Sequence, residues 1–85
     1  MPVIMISEVL TTRKGETVII TDNHFENHEE AVKTFETRCN TLKNAVNVKK
    51  VLKYEYDAKN NWGAIRVELD KGGMLEITMM ETYLV

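Results

Sequence analysis

The spacing of apolar residues changes period twice along this chain. Between residues 3 and 12 apolar side chains occupy both parities: Val3, Met5 and Val9 on one, Ile4, Ile6 and Leu10 on the other. Residues 17–21 are β-branched, and Gly15 lies in the short connection, which predicts a hairpin. From residue 28 to 46 the steps become three and four: Val32, Phe35, Cys39, Leu42 and Val46, flanked by Ala31 and Ala45. That is one stripe of an α-helix. Asn27, three residues before Glu30, predicts a capped start. Period two then returns. Val48, Leu52, Tyr54 and Tyr56 share one parity, interrupted by Lys50. Ile65, Val67 and Leu69 alternate with Arg66, Glu68 and Asp70. Leu75, Ile77 and Met79 alternate with Glu76 and Thr78. Turn-forming Gly, Asn and Asp clusters fall at 13–16, 59–63 and 70–73. The pattern predicts one α+β domain over residues 1–85, in the order β-β-α-β-β-β. Two layers follow, a five-stranded antiparallel sheet with one helix on one face.

Two segments break the one-dry-face rule. The first strand is apolar both ways, and the tail from Met79 to Val85 stays largely apolar. One helix covers one face only. Val3, Met5, Val9, Met80 and Leu84 are therefore expected to form a second apolar patch, and such patches mark association sites. A homodimer built on them is the expectation.

Composition narrows the classes. With 85 residues, 44% hydrophobic and 28% charged, the chain has material for one core, and its net charge of -2 does not suggest disorder. The single Cys39 excludes a disulfide scaffold, and one Cys with two His makes a four-ligand zinc site a poor fit. No apolar run approaches the ~20 residues of a membrane span. The opening MPVIMISEVL, with Glu8 inside it and no basic leader, does not read as a signal peptide. A reducing cytoplasm is the expected location, with no membrane and no cofactor.

No catalytic signature emerges. Cys39 falls in the middle of the apolar helix stripe, where a thiol is buried and inert. Ser7, the only serine, has no Gly-rich elbow around it. Gly72 and Gly73 read as a hairpin turn and not as a phosphate loop. His24 and His28, near Asp22 and Glu29, lack a third strong metal ligand at fixed spacing. The chain reads as a non-enzyme.

Charge, by contrast, is segregated. Residues 22–36 hold Asp22, Glu26, Glu29, Glu30 and Glu36 against Lys33 alone, whereas residues 37–54 hold Arg38, Lys43, Lys49, Lys50 and Lys53 with no acid. Acids at a helix start and bases at its end complement the helix dipole, which is sufficient reason for such a gradient. The functional alternative is a basic patch for RNA, in which Lys and Arg meet phosphates and the interspersed Asn40, Asn44 and Asn47 add hydrogen bonds. Strand alternation puts Lys49 and Lys53 on one polar face, where Arg66 joins them, and Arg13 and Lys14 at a hairpin tip extend it. Tyr54 and Tyr56 are expected on the dry face. Trp62, expected in a turn, is a candidate partner contact.

A compact acidic α+β chain, rich in Lys, Asn and Glu and lacking catalytic residues, resembles the small early accessory proteins of T-even-type bacteriophages. The segments 38–44 (Arg38 to Asn44) and 59–63 (Lys59 to Gly63) carry that resemblance. It implies a stoichiometric anti-defence inhibitor that occludes a cytoplasmic host protein such as a toxin ribonuclease, with RNA as a second ligand. The alternative is a structural homo-oligomer with no nucleic-acid role.

Overall fold

A computed structural model describes residues 2–83. The elements follow the expected order: β1 (Pro2–Thr11), β2 (Thr17–Phe25), α1 (His28–Lys43), β3 (Val48–Asp57), β4 (Trp62–Leu69) and β5 (Met74–Tyr83), with a 3-10 turn at Ala58–Asn60. The strands form one sheet in the order β2-β1-β5-β4-β3, and every neighbouring pair is antiparallel. The fold is α+β, with the helix packed on one face.

This strand order sets what the helix must do. β2 and β3 are the two edges, so the chain between them has to cross the whole sheet. Four inter-strand spacings amount to ~19 Å. The 16 residues of α1 give a rod of ~24 Å, enough for the crossing. The helix accordingly touches all five strands. Its start is fixed by Asn27, whose side-chain oxygen accepts from the Glu30 N–H at 3.0 Å. Ala31, Phe35, Cys39 and Leu42 point into the sheet, onto Ile4 and Ile6 of β1, Ile65 and Val67 of β4, and Ile77 and Met79 of β5. Each such side chain removed from water stabilises the fold by roughly 1.5–3 kcal/mol.

Several expectations about boundaries are corrected. The helix stops at Lys43, with Asn44 as its C-cap, so Val46 leaves the stripe and is exposed. β2 runs four residues further than its β-branched segment. Phe25 packs on the core opposite Ile4, and the Ser7 hydroxyl donates to Asp22 at 3.2 Å. His24 therefore belongs to β2. Trp62 opens β4, and the reversal before it is made by Ala58–Asn60 and Asn61, whose φ of 54° is left-handed. Asn tolerates that conformation better than most residues.

β3 is less regular than its sequence suggests. Its register against β4 slips between Val48 and Lys50 and again between Val51 and Lys53. These irregularities put Val51 opposite Val67 and move Leu52 out of the alternation. The dry-face set is therefore Val48, Val51, Tyr54 and Tyr56, not Val48, Leu52, Tyr54 and Tyr56.

Candidate interaction surface

The helix-covered side carries one charged group in its interior. Glu8 is 7% exposed and shares a parity with Ile4, Ile6 and Leu10. A carboxylate there needs a partner, because burial without one is costly. Arg38 supplies it from α1 with a two-pronged contact: Nη2 donates to Oε1 at 2.7 Å and Nε to Oε2 at 3.1 Å. The Thr21 hydroxyl sits 3.4 Å from Oε2. Hydrogen bonding to Glu8, opposed by partial burial, holds the Arg38 guanidinium above its ordinary pKa. Arg38 thus ties the helix to β1, and its charge is already matched.

Lys43 is also engaged on this side. Its ammonium lies 3.6 Å from the centroid of the Tyr54 ring, a cation–π contact. Tyr56 packs against Phe35, ring centroids 5.5 Å apart, and its hydroxyl donates to Glu36 at 2.6 Å. Burial, and then that hydrogen bond, push the Tyr56 phenol above its ordinary pKa. Both tyrosines are packing residues on the helix side, as their parity predicts.

Cys39 is buried among the core residues. Burial raises its pKa from 9.0 to about 11. Only thiolate attacks disulfide reagents, so a chromogenic disulfide is expected to label this cysteine only at the rate of unfolding. Folding keeps the thiol protonated where the unfolded chain ionises. Stability is therefore expected to fall as pH rises from 9.0 towards about 11. Denaturant titrations across that window should show a shallower fall for Cys39→Ala.

The opposite face of the sheet has no helix. Register places its side chains in rows that cross the strands. One row runs His24, Met5 and Met80, with Trp62 at the same level because it precedes the Gly63–Met79 pair. The next holds Asp22, Ser7, Thr78, Ala64 and Glu55, and a third holds Ile19, Val9, Glu76, Arg66 and Lys53. Met80 and Trp62 are exposed, and Met5 and Val9 are partly covered. This face therefore combines an apolar strip with a charged half. Within that half Arg66 donates to Glu76 through Nε at 3.1 Å and Nη2 at 2.9 Å, and Lys53 lies 3.8 Å from Glu55.

The sequence-derived sites divide accordingly. Of the eight cations expected to form one patch, Arg38 and Lys43 lie on the helix side. Arg66 and Lys53 lie on the bare face beside carboxylates. Lys50, opposite Glu68, shares the bare face with Lys53, while Lys49 falls in the first slip of β3. The β3 irregularities, invisible to simple alternation, break the expected Lys49–Lys53 pairing. Arg13 and Lys50 do converge, on an open cleft of about 470 Å³ whose walls include Thr11, Leu52, Glu68 and Met74. Lys14 is exposed at the hairpin tip beside it.

The expected apolar patch also changes. Val3, on the bare-face parity, is only 2% exposed and offers no contact area. Met80 does, Met5 and Val9 do in part, and Leu84 lies outside the described residues. The residues that sequence reasoning missed are Glu8 and Glu76. Glu8 was detectable as a lone charge on the dry parity of β1. Glu76 was detectable once its strand is placed beside Arg66.

Among the described residues no group of three or more His, Cys, Asp or Glu side chains gathers as a metal site. No helix among them is long and apolar enough to cross a membrane. No family model matches this chain, and neither a curated protein nor a solved structure matches it.

Proposed function

We propose that this chain is a non-catalytic binding protein that occludes a partner protein with the helix-free face of its sheet. The observation that carries the reading is that one helix-free face holds the Met5, Met80 and Trp62 strip and, beyond the intervening row of Asp22, Ser7, Thr78, Ala64 and Glu55, the Glu76, Arg66 and Lys53 row. Exposed Trp and Met flanked by charge is the composition of a protein-recognition surface, with Trp62 as the anchor. Carboxylates interleaved with the cations argue against a phosphate backbone as the main ligand, since Glu55, Glu68 and Glu76 would each repel it. The reading agrees with the stoichiometric inhibitor that the phage resemblance implies, and the partner is then a cytoplasmic host protein.

RNA is the second reading. Its support is the cleft where Arg13 and Lys50 converge, with Lys14 nearby. Capture from bacterial extract, with and without ribonuclease, separates the two. Capture that survives ribonuclease and drops at least about tenfold in Met80→Glu and in Trp62→Ala supports the protein reading. Capture that ribonuclease abolishes, and that Arg13→Glu with Lys50→Glu removes, overturns it in favour of RNA.

A further inference from the structure

One row of the helix-free face carries sulfur and imidazole side by side. His24 of β2 pairs with Met5 of β1, and Met5 pairs with Met80 of β5. Cross-strand partners share a face, so one ring nitrogen donor and two thioethers stand on three adjacent strands. Trp62 follows at the same level, because it precedes the Gly63–Met79 pair. The register is regular through these pairings, since the one slip between β1 and β2 lies further on, between Glu8 and Val9. His24 and Met80 are exposed, Met5 is partly covered and Trp62 is 40% exposed. Methionine usually fills gaps in a core, as the buried Met79 does. Met5 and Met80 instead lie next to each other on a surface, where what distinguishes them from leucine is the sulfur.

We infer that His24, Met5 and Met80 form a binding site for a soft monovalent cation, copper(I), flanked by the Trp62 ring. Carboxylate, thiol and imidazole groups alone gather no metal site among the described residues, but thioether sulfur is also a ligand. It is neutral and soft, which favours copper(I) over magnesium or calcium. The row holds no carboxylate, and the nearest one, Asp22 in the next row, accepts a hydrogen bond from the Ser7 hydroxyl at 3.2 Å. A hard divalent ion therefore lacks the anionic oxygens it prefers. Spacing fits as well. A cation held over Met5 is one strand spacing, ~4.8 Å, from the strands of His24 and Met80, a separation that long cross-strand side chains span. Trp62, one strand beyond Met80, brings the aromatic ring best suited to a cation–π contact.

Silver(I), a redox-stable probe for copper(I) sites, provides the test. It is titrated as the nitrate in chloride-free buffer into the full chain carrying Cys39→Ala, so that the one thiol does not compete. Trp62 is the only tryptophan, and its fluorescence reports on the site. The expected result is saturable quenching at one equivalent, with a micromolar or tighter Kd. Met5→Leu, Met80→Leu and His24→Gln should each weaken binding by about tenfold or more. Met74→Leu, at the far end of the same face, should leave it unchanged. Leucine nearly conserves the volume of methionine, so the leucine variants should keep their circular dichroism melts. In the unaltered chain the ε-methyl resonances of Met5 and Met80 should move with the first equivalent of silver(I), while that of Met74 stays.

The inference does not depend on the proposed binding face. Met80→Leu removes the sulfur but keeps the apolar contact, so capture of a protein partner should survive a substitution that weakens silver(I) binding. Absence of saturable silver(I) binding overturns the site. So does binding that the Met5 and Met80 leucine variants leave intact, an equal shift at Met74, or zinc(II) held as tightly as silver(I).

Discussion

Arg38→Ala is expected to cost about 2–4 kcal/mol of folding stability, read as a lowered denaturant midpoint at unchanged slope. The substitution leaves the Glu8 carboxylate buried with only Thr21 near it. Stranding one member of a buried pair costs about 3–5 kcal/mol when both are enclosed. Arg38 has a side chain 45% exposed, so water reaches the site and the expected figure is lower. The diagnostic is the double variant. Glu8→Leu with Arg38→Met replaces both charges by apolar side chains of similar reach and should recover most of the loss. An RNA role for Arg38 predicts the reverse pattern, with stability untouched and binding lost.

Gly63→Val is expected to cost about 3 kcal/mol or more, because the site has no room for any side chain. A Cβ on Gly63 would stand 2.6 Å from Cε2 and 2.8 Å from Cζ of Phe35, and 3.3 Å from the Tyr56 ring. Phe35 is fully buried at the centre of the helix–sheet contact. Its ring therefore has to leave its place or the helix has to lift. Gly63→Ala should cost less, about 1–3 kcal/mol. Combining Gly63→Ala with Phe35→Leu should cost less than the two separate losses added together, since the smaller side chain vacates the space. Thermal melts of the four chains decide this, and strictly additive losses would show that the two positions do not touch. A large loss is serious here, since a chain of this length has roughly 4–13 kcal/mol in total.

What the sequence revealed and concealed follows from the range of the interactions. The helix stripe Ala31, Phe35, Cys39 and Leu42 was legible because each residue's place depends on its own helix's period. The cores of β1, β4 and β5 were legible for the same reason, with a period of two. Gly15 marked its turn locally. By contrast, Gly63 looked like a turn residue, because the need for a glycine there comes from Phe35, 28 positions earlier in the chain. The Glu8–Arg38 contact spans 30 positions, so a helix-end cation looked like part of a patch. The β3 irregularities moved Lys49 and Leu52 out of an alternation that the residues alone obey. The charge gradient along the helix was real, but its cations spread over both sides of the sheet.

That division of the cations bears directly on function. A surface for nucleic acid needs positive charge gathered and unmatched, and the cleft that Arg13 and Lys50 line beside Lys14 meets that condition in part, since Glu68 lines it too. The bare face offers something different: a Trp, partly covered and exposed Met side chains, and ion pairs already closed. Exposed ion pairs contribute little to stability, so Arg66 with Glu76 and Lys53 with Glu55 remain open to exchange for partners on another protein.

The most direct measurement is thiol protection in the complex recovered from extract. Cys39 is buried with its thiol held protonated, so it is expected to stay unlabelled in the fold and an introduced cysteine then reports alone. Met80→Cys places the probe on the bare face, and Asn40→Cys places it on the exposed side of the helix. The account predicts that the probe at position 80 labels readily in the free protein and is protected in the complex, while the probe at position 40 labels equally in both. Protection at position 40 with free labelling at position 80 would contradict it.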